Sequence, residues 1–181
     1  MLVEGTSDKI AVETLAERHG RDLKAEGISV LAMGGAQAVG RHLQRLAGLD
    51  VRLAGLCDVQ EIPQFSRGLE RAGLGPVPDR EALERLGFHV CVRDLEDELM
   101  RALGVARVQE VVEEHGDLGP FQTLQKQVEW RGRPEAEQLR RFMGSGGRRK
   151  QRYARFLVEA LEPGQVPRPL ARLLEHVMFP A

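Results

Sequence analysis

The chain has 181 residues, of which 42% are hydrophobic and 29% are charged, as is ordinary for one folded domain with at most a modest appendage. Its 26 basic and 27 acidic residues give a formal net charge of −1, so bulk charge neither requires nor excludes a nucleic-acid partner. No apolar stretch approaches the length of a membrane span and no secretory signal opens the chain, so we expect no membrane partner and a cytoplasmic setting.

The N-terminal half alternates between short apolar runs typical of strands and apolar patterns with helical spacing. We predict four strands, at residues 2–3, 28–32, 51–56 and 88–92, and helices at residues 8–19, 39–46, 65–72 and 80–86. This alternation indicates an α/β fold with a parallel four-stranded sheet flanked by helices. The first strand is short and lies at the start of the chain, so either the sheet begins there or further residues precede it.

Beyond Asp94 the apolar spacing predicts helices alone, at residues 95–103, 105–112, 135–142, 150–161 and 170–177. The polar stretch that contains Gly116, Gly119 and Pro120 is predicted to be a connection, and residues 144–147 and 163–169 are predicted to be loops. We therefore divide the chain into an α/β core at residues 1–100 and an α-helical extension at residues 101–181.

Acidic residues follow three of the predicted strands: Glu4 after the first, Asp58 after the third, and Asp94, Glu96, Asp97 and Glu98 after the fourth. Ligands of open parallel sheets bind beyond the carboxyl ends of the strands. If the first and third strands are neighbours, their ends lie about 4.8 Å apart, and several carboxylates would repel one another in a small volume. A divalent cation resolves that conflict, and oxygen ligands favour Mg²⁺ or Mn²⁺ over zinc.

The residues after Glu4 also suit such a site. Gly5 permits a tight turn and the close approach of a phosphate or of a metal's water. Ser7 is predicted to cap the following helix, with Asp8 in its first turn. For Asp8 a simpler interpretation stays open, since an acid in a first turn complements the helix dipole.

The sequence Leu-Val-Glu-Gly-x-x-Asp at residues 2–8, followed by Asp58 after a later strand, resembles the TOPRIM domain. That domain is shared by topoisomerases, bacterial primases, small maturation ribonucleases and nucleases of the OLD (overcoming lysogenization defect) family. Four features resemble the C-terminal nuclease region of OLD-family endonucleases: Asp8, the Gly34-Gly35 turn, the acidic segment 94–98 and the later Arg148-Arg149-Lys150 segment. The resemblance implies a Rossmann-like TOPRIM core in residues 1–100, followed by the helical extension.

The resemblance implies a catalytic, metal-binding glutamate at Glu4 and a metal-binding pair of aspartates, of which only Asp58 is present. The second position is Gln60, which cannot supply a charged ligand. Glu61 lies one residue further and substitutes only if its side chain is re-aimed. This departure leaves the number of bound ions open between one and two.

For the remaining ligands the resemblance implies Asp8 and Glu96, with Asp94, Asp97 and Glu98 competing for the role of Glu96. It also implies Lys150 as a catalytic cation that stabilises charge developing on a scissile phosphate. Neighbouring arginines are predicted to hold the nucleic-acid backbone, namely Arg148, Arg149, Arg152 and Arg155. The alternative for this segment is a solvated basic helix face, and it does not form a phosphate-binding loop.

Other residue types with chemical potential carry less information. Cys57 and Cys91 end apolar runs without metal-site spacing and are predicted to be buried free thiols. The five histidines show no ligand spacing, and Trp130 and Tyr153 are too few to predict a base-stacking platform.

The leading functional hypothesis is a Mg²⁺- or Mn²⁺-dependent endonuclease that hydrolyses phosphodiester bonds, with DNA rather than RNA as partner. The second is an inert or weak TOPRIM module that acts only with a separate ATPase, since OLD-family nucleases carry an ATPase half and this chain has no Walker A motif. A phosphoacceptor domain with Asp58 as acceptor is a third hypothesis, which the long helical extension disfavours. A topoisomerase or primase is disfavoured by the absence of a tyrosine-bearing cleavage domain and of a zinc motif, while a homo-oligomer stays open.

Overall fold

Four parallel strands form the central sheet in the order β2-β1-β3-β4. They are β1 (Leu2–Val3), β2 (Leu31–Ala32), β3 (Gly55–Asp58) and β4 (Phe88–Cys91) in a computed structural model that describes residues 1–178. Because every strand runs in the same direction, the carboxyl ends of all four meet at one edge of the sheet. The predicted parallel sheet is confirmed, and β1 and β3 are neighbours, which is the condition under which the sequence places several carboxylates close together.

Nine α-helices accompany the sheet in residues 1–178. The helices are α1 (Thr6–Arg18), α2 (Val39–Leu46), α3 (Ile62–Arg71), α4 (Arg80–Arg85), α5 (Leu95–Glu114), α6 (Leu118–Lys126), α7 (Glu135–Met143), α8 (Gly147–Ala160) and α9 (Arg168–Met178). The first four connect or precede strands, and the last five follow β4, so the predicted α-helical extension is present. No helix in this part of the chain is both long enough and apolar enough to cross a membrane.

Two strand predictions were wrong in their bounds because a strand needs a neighbour to pair with. The predicted strand at 51–56 is instead β3 at Gly55–Asp58, whose first residue pairs with Leu2 of β1. Residues before Ala54 have no such neighbour, and Val51 is half exposed. The predicted strand at 28–32 shortens to Leu31–Ala32, since β1 offers only two residues for pairing.

The polar stretch predicted to be a connection contains a helix, α6. Gly119 and Pro120 are its second and third residues. Backbone amides in the first turn of a helix have no acceptor within the helix, so a proline there costs no hydrogen bond. Phe121 and Leu124 of α6 are buried. Burial of this apolar face outweighs the weak helix preference of the first turn.

The sheet separates two apolar cores, and alternate residues of β1, β3 and β4 enter opposite cores as the strand pleat requires. Leu2, Cys57 and Val90 pack in the core beneath α2, α3 and α4. Val3, Leu56 and Cys91 pack in the other core, which also takes apolar residues of α1, α5, α8 and α9. The second core therefore joins the α/β part to the helical extension.

A charged side chain reinforces the contact between α1 and α8. The Arg18 guanidinium at the end of α1 donates hydrogen bonds to the carbonyl oxygens of Val158 and Leu161, at the end of α8. The boundary proposed near residue 100 falls inside α5, so the division into 1–100 and 101–181 stays a prediction, and residues 179–181 of the extension lie outside the described part.

Candidate metal centre

Acidic residues stand at the carboxyl ends of three neighbouring strands. Glu4 follows β1, Asp58 is the last residue of β3, and Asp94 lies three residues after β4. Since β3 lies between β1 and β4, these ends form one edge of the sheet. The convergence expected from the sequence is therefore present in the fold.

Each strand end is followed by a turn that a carboxylate fixes through a backbone amide. The three hydrogen bonds run from Gly5 N–H to Asp8 Oδ2 at 2.8 Å, from Asp58 N–H to Glu61 Oε2 at 3.3 Å, and from Val92 N–H to Glu98 Oε1 at 2.8 Å. The Gly34 and Gly35 amides in addition donate to the Glu4 carbonyl oxygen, at 3.0 and 3.1 Å. Both glycines have positive φ, which side chains other than glycine rarely adopt, so this turn requires them.

Glu4, Asp58 and Glu61 form an acidic triad in which one carboxylate oxygen of each lies within 4.8 Å of the other two. Residues 59–61 form a short 3-10 turn, and residues three apart eclipse one another in that geometry. The turn therefore directs Glu61 to the same side as Asp58. Gln60, at the position where the family pattern has an aspartate, is exposed.

The triad opens into a cavity of about 70 Å³. Beside Glu4 and Asp58, the charged residues that line it are Asp8, Asp94, Glu96 and Lys150. Cys57 and Cys91 form part of its floor as free thiols, as predicted. Ser7 also lines the cavity and does not cap α1 as predicted, because the helix begins at Thr6 with Gly5 in the capping position.

Burial and like charges make it unfavourable for these carboxylates to be ionised together. Burial raises the pKa of Asp58 to about 8, with further contributions from the nearby charges of Glu61 and Glu4. Burial also raises the pKa of Asp8, against the opposing hydrogen bond from Gly5, and the pKa of Glu61 rises through burial and the charge of Glu4. The cavity thus has an excess of negative charge that a bound cation would relieve.

Asp94 is partly neutralised by an arginine that sequence reasoning missed. Burial by itself raises the pKa of Asp94, but the hydrogen bonds from Arg140 of α7, together with that from Asp97 N–H, bring it below the ordinary value. Asp94 also caps α5 through that last bond. Arg140 lies 46 residues further along the chain, so no local pattern could have indicated this pair.

Glu96 has fewer side-chain contacts than Asp94, Asp97 and Glu98, the other acids of its segment. Its side chain is 13% exposed, and Lys150 Nζ lies 3.6 Å from Glu96 Oε1. Burial raises the pKa of Glu96, although the charge of Lys150 opposes the rise. Of its three competitors, Asp94 pairs with Arg140, Asp97 with Arg101, and Glu98 with Arg101 and the Val92 amide.

The four arginines predicted to hold the nucleic-acid backbone occupy different environments on α8. Arg155 donates to Glu159 Oε1 at 2.7 Å. Arg148 is exposed. Arg149 donates to Ser145 Oγ at 2.6 Å and lies 4.2 Å from the ring centre of Phe142. Arg152 lies 3.7 Å from Asp117 Oδ2, so Arg148 has the fewest protein contacts of the four.

Comparisons with known proteins agree with this architecture. Residues 1–59 match the family described as "Overcoming lysogenization defect protein-like, TOPRIM domain". The C-terminal region of the Xanthomonas campestris pv. campestris OLD protein is similar in structure at a TM-score of 0.73 and 25% identity, over 97% of this chain and 92% of that one. A second structure of that region gives a TM-score of 0.72 and 26% identity, over 97% and 89%.

The C-terminal region of the Burkholderia pseudomallei OLD protein has the same fold, with a TM-score of 0.70 over 97% of this chain and 94% of that one, at 20% identity. No curated protein matches the chain in sequence. The resemblance to a TOPRIM domain, and within that group to the C-terminal region of OLD proteins, is confirmed.

Proposed function

We propose that this chain, whose residues 1–59 are a TOPRIM domain of the OLD-like type, is a divalent-metal-dependent endonuclease acting on DNA. The observation that carries the proposal is the acidic triad of Glu4, Asp58 and Glu61, of which Glu4 and Asp58 line a cavity together with Lys150. Carboxylates at the carboxyl edge of the sheet, beside the ammonium group of Lys150, can hold metal cations next to a bound phosphodiester.

The donor atoms at the cavity fit Mg²⁺ or Mn²⁺. Ligand oxygens lie about 2.0–2.6 Å from such hard cations, so oxygens up to about 5 Å apart can share one ion, which the triad's 4.8 Å satisfies. The three side chains that can bring ligand atoms within 4.8 Å of one another are carboxylates, and neither Cys57 nor Cys91 belongs to this group. The available donors are therefore oxygens, which disfavours zinc.

In this proposal Glu4, Asp58 and Glu61 hold one cation, and Asp8 and Glu96 hold a second. The bound cations supply positive charge that attracts the phosphate and favours deprotonation of an attacking water. Lys150 releases Glu96 and turns to the phosphate, where its ammonium neutralises charge that develops in the transition state. Arg148, with Arg149 and Arg152 beside it, contacts the flanking phosphates.

Nicking of supercoiled plasmid by the isolated protein tests the proposal. We expect cutting in Mn²⁺ or Mg²⁺ and none in EDTA, with a loss of at least about a hundredfold in Glu4→Gln, Asp58→Asn and Lys150→Met. Glu13→Gln is the matched control, since Glu13 lies on α1 like Asp8 but pairs with Lys9 on the surface. Cutting that survives EDTA, or that Asp58→Asn retains, contradicts the proposal.

A module that needs a separate ATPase is the second candidate. The matched solved structures are described as C-terminal regions of OLD proteins, which means that this fold also occurs as part of longer chains. In that case the isolated protein binds Mn²⁺ through the triad but does not nick plasmid. Metal-dependent nicking by the isolated wild type, lost in Asp58→Asn, excludes this candidate.

A further inference from the structure

A second, wider cleft of about 520 Å³ adjoins the acidic cavity, and Glu96 lines both. The remaining side chains of this cleft come from the β4–α5 turn, from the segment before α7 and from α7 itself: Arg93, Trp130, Glu137, Arg140 and Arg141. We call it the Trp130 cleft. Its lining differs from that of the cavity, since it has three arginines and an indole beside the two carboxylates of Glu96 and Glu137.

Two of the arginines in the Trp130 cleft are available for a ligand. Arg140 is bound to Asp94, and Glu137 faces Arg133 at 3.8 Å. Arg93 and Arg141 are exposed, and within residues 1–178 no carboxylate lies in ion-pair range of either. Guanidinium groups without a protein carboxylate partner are suited to phosphate oxygens, which they bind through paired N–H donors.

Trp130 packs against the main apolar core and also lines the cleft. Its side chain is partly buried against the main core, and the Gln138 amide donates to its carbonyl oxygen at 2.8 Å. Gln138 is itself buried and accepts from Gln125 at 2.9 Å. The guanidinium groups of Arg133 and Arg141 lie 5.0 and 5.9 Å from the ring centre, both within the range of a cation–π contact, so a base that stacks on the indole shares the ring with them or displaces one. The indole is therefore positioned before any ligand arrives.

We propose that the Trp130 cleft holds one unpaired nucleotide of the substrate strand beside the scissile phosphate, with its base against Trp130 and its phosphate on Arg93 and Arg141. This inference rests on the proposed nuclease function, because the cleft is assigned to the strand whose phosphate reaches the adjoining cavity. The shared wall at Glu96 makes the two sites continuous.

The indole selects for an unpaired base for a steric reason. Both faces of a base inside a duplex are covered by its neighbours, so an aromatic side chain can stack only on a base that has left the helix. One tryptophan is too little for a platform that tracks a long single strand, but it suffices for one base. The Trp130 cleft thus predicts that single-stranded, gapped or frayed DNA binds better than intact duplex.

Trp130 is the single tryptophan of the chain, so its fluorescence reports on this cleft alone. We would titrate the protein in EDTA, where the nuclease reaction is not expected, with fluorescein-labelled oligothymidylate, an abasic version of it and a blunt duplex. Binding of the labelled strands is followed by fluorescence anisotropy. Quenching of the indole fluorescence is measured in a separate titration with unlabelled strands. Trp130→Leu keeps apolar bulk against the core, Trp130→Phe keeps an aromatic face, and Arg131→Gln is a control on an exposed arginine outside the cleft lining.

We expect oligothymidylate to quench the indole over the range in which anisotropy rises. Trp130→Leu should weaken its binding about tenfold, with little effect on the abasic strand, while Trp130→Phe and Arg131→Gln stay close to wild type. Anisotropy that rises without quenching, equal binding by Trp130→Leu, or no binding of the strand overturns the inference. Plasmid nicking by the wild type is measured separately, so failure of the cleft leaves the nuclease proposal to its own test.

Discussion

The spacing of Asp58 and Glu61 decides which side chains can hold a cation at the end of β3. In an extended strand, residues three apart point to opposite faces, whereas in the 3-10 turn after β3 they share one side. A carboxylate at residue 61 can thus stand in for one at residue 60. The ligand set depends on the local turn as well as on the identity of the residues.

Substitutions at these two neighbouring positions should differ in effect. Glu61→Gln removes a triad carboxylate and should weaken Mn²⁺ binding by at least about tenfold, as loss of metal-site carboxylates generally does. Gln60→Ala alters an exposed side chain and should change the affinity by less than about twofold. Isothermal titration with Mn²⁺ measures both. Equal losses, or a loss in Gln60→Ala alone, would contradict the assignment of Glu61.

The sequence was informative about residues that belong to strand ends and uninformative about pairs that only tertiary structure creates. Glu4, Asp8, Asp58 and Glu96 were predicted as one group, and the fold brings them to one cavity, although their roles stay predictions. Lys150 joins them from α8. The contribution of Arg140 and the position of Trp130 beside Glu96 arise from the packing of α7, which no spacing in the sequence expresses.

At the scale of elements, α5 shows how one glycine sets the direction of a helix. Two helical runs were predicted, at 95–103 and 105–112, and the structure joins them across a kink at Gly104, where φ is 76° and ψ is 157°. That conformation is essentially restricted to glycine. The kink lets Leu95 and Leu99 on one side, and Val108 and Val112 on the other, enter the same core.

Replacing glycine by alanine should therefore have opposite effects in α5 and α6. Gly104→Ala forces a Cβ into a backbone conformation that it resists and should lower the free energy of unfolding by about 1–3 kcal/mol. Gly119→Ala, in the first turn of α6, places its methyl group in open space and should raise this free energy by up to about 1 kcal/mol. Urea denaturation followed by circular dichroism measures both. A Gly104→Ala protein as stable as wild type would show that the kink is not required.

Element types were easier to predict than element ends. Helices with a continuous apolar face were found within a few residues, whereas α6 was missed because glycine and proline in its first turn have the composition of a loop. The limits of β2 follow the two residues that β1 offers as partners, and those of β3 follow the four residues of β4 with which it pairs. The length of a strand therefore depends on how many residues its neighbours offer for pairing, and it cannot be predicted from the strand's own sequence alone.

At the scale of the whole molecule, the candidate site is assembled from both ends of the chain. The carboxylates belong to the sheet edge and α5, and Lys150 belongs to α8, which packs on α1 through a shared core. The Arg18 hydrogen bonds to the end of α8 reinforce this contact. The helical extension therefore contributes to the charge balance of the cavity as well as to stability.

Stability of the whole protein should depend on a divalent cation, because the triad is a site of mutual repulsion without one. Since binding to the folded state alone stabilises by about 2.7 kcal/mol at a hundred times Kd, saturating Mn²⁺ should raise the melting temperature by roughly 5–10 °C over EDTA. Because its pKa is about 8 in the folded protein, the Asp58 carboxyl must take up a proton when the metal-free protein folds at neutral pH, and this lowers stability. Asp58→Asn avoids that cost, so it should be more stable than wild type in EDTA by about 1 kcal/mol and should lose most of the Mn²⁺ effect.

The control for this measurement is an Asp→Asn substitution at an aspartate outside the acidic cavity. Asp50 is exposed and has no part in the cavity, so Asp50→Asn should melt like wild type both in EDTA and in Mn²⁺. Differential scanning fluorimetry of the three proteins measures the shifts. A wild type that gains nothing from Mn²⁺, or an Asp58→Asn protein that gains as much as wild type, would mean that the triad holds no cation. This measurement needs no substrate, so it separates a cavity that binds metal but awaits a partner from one that binds none.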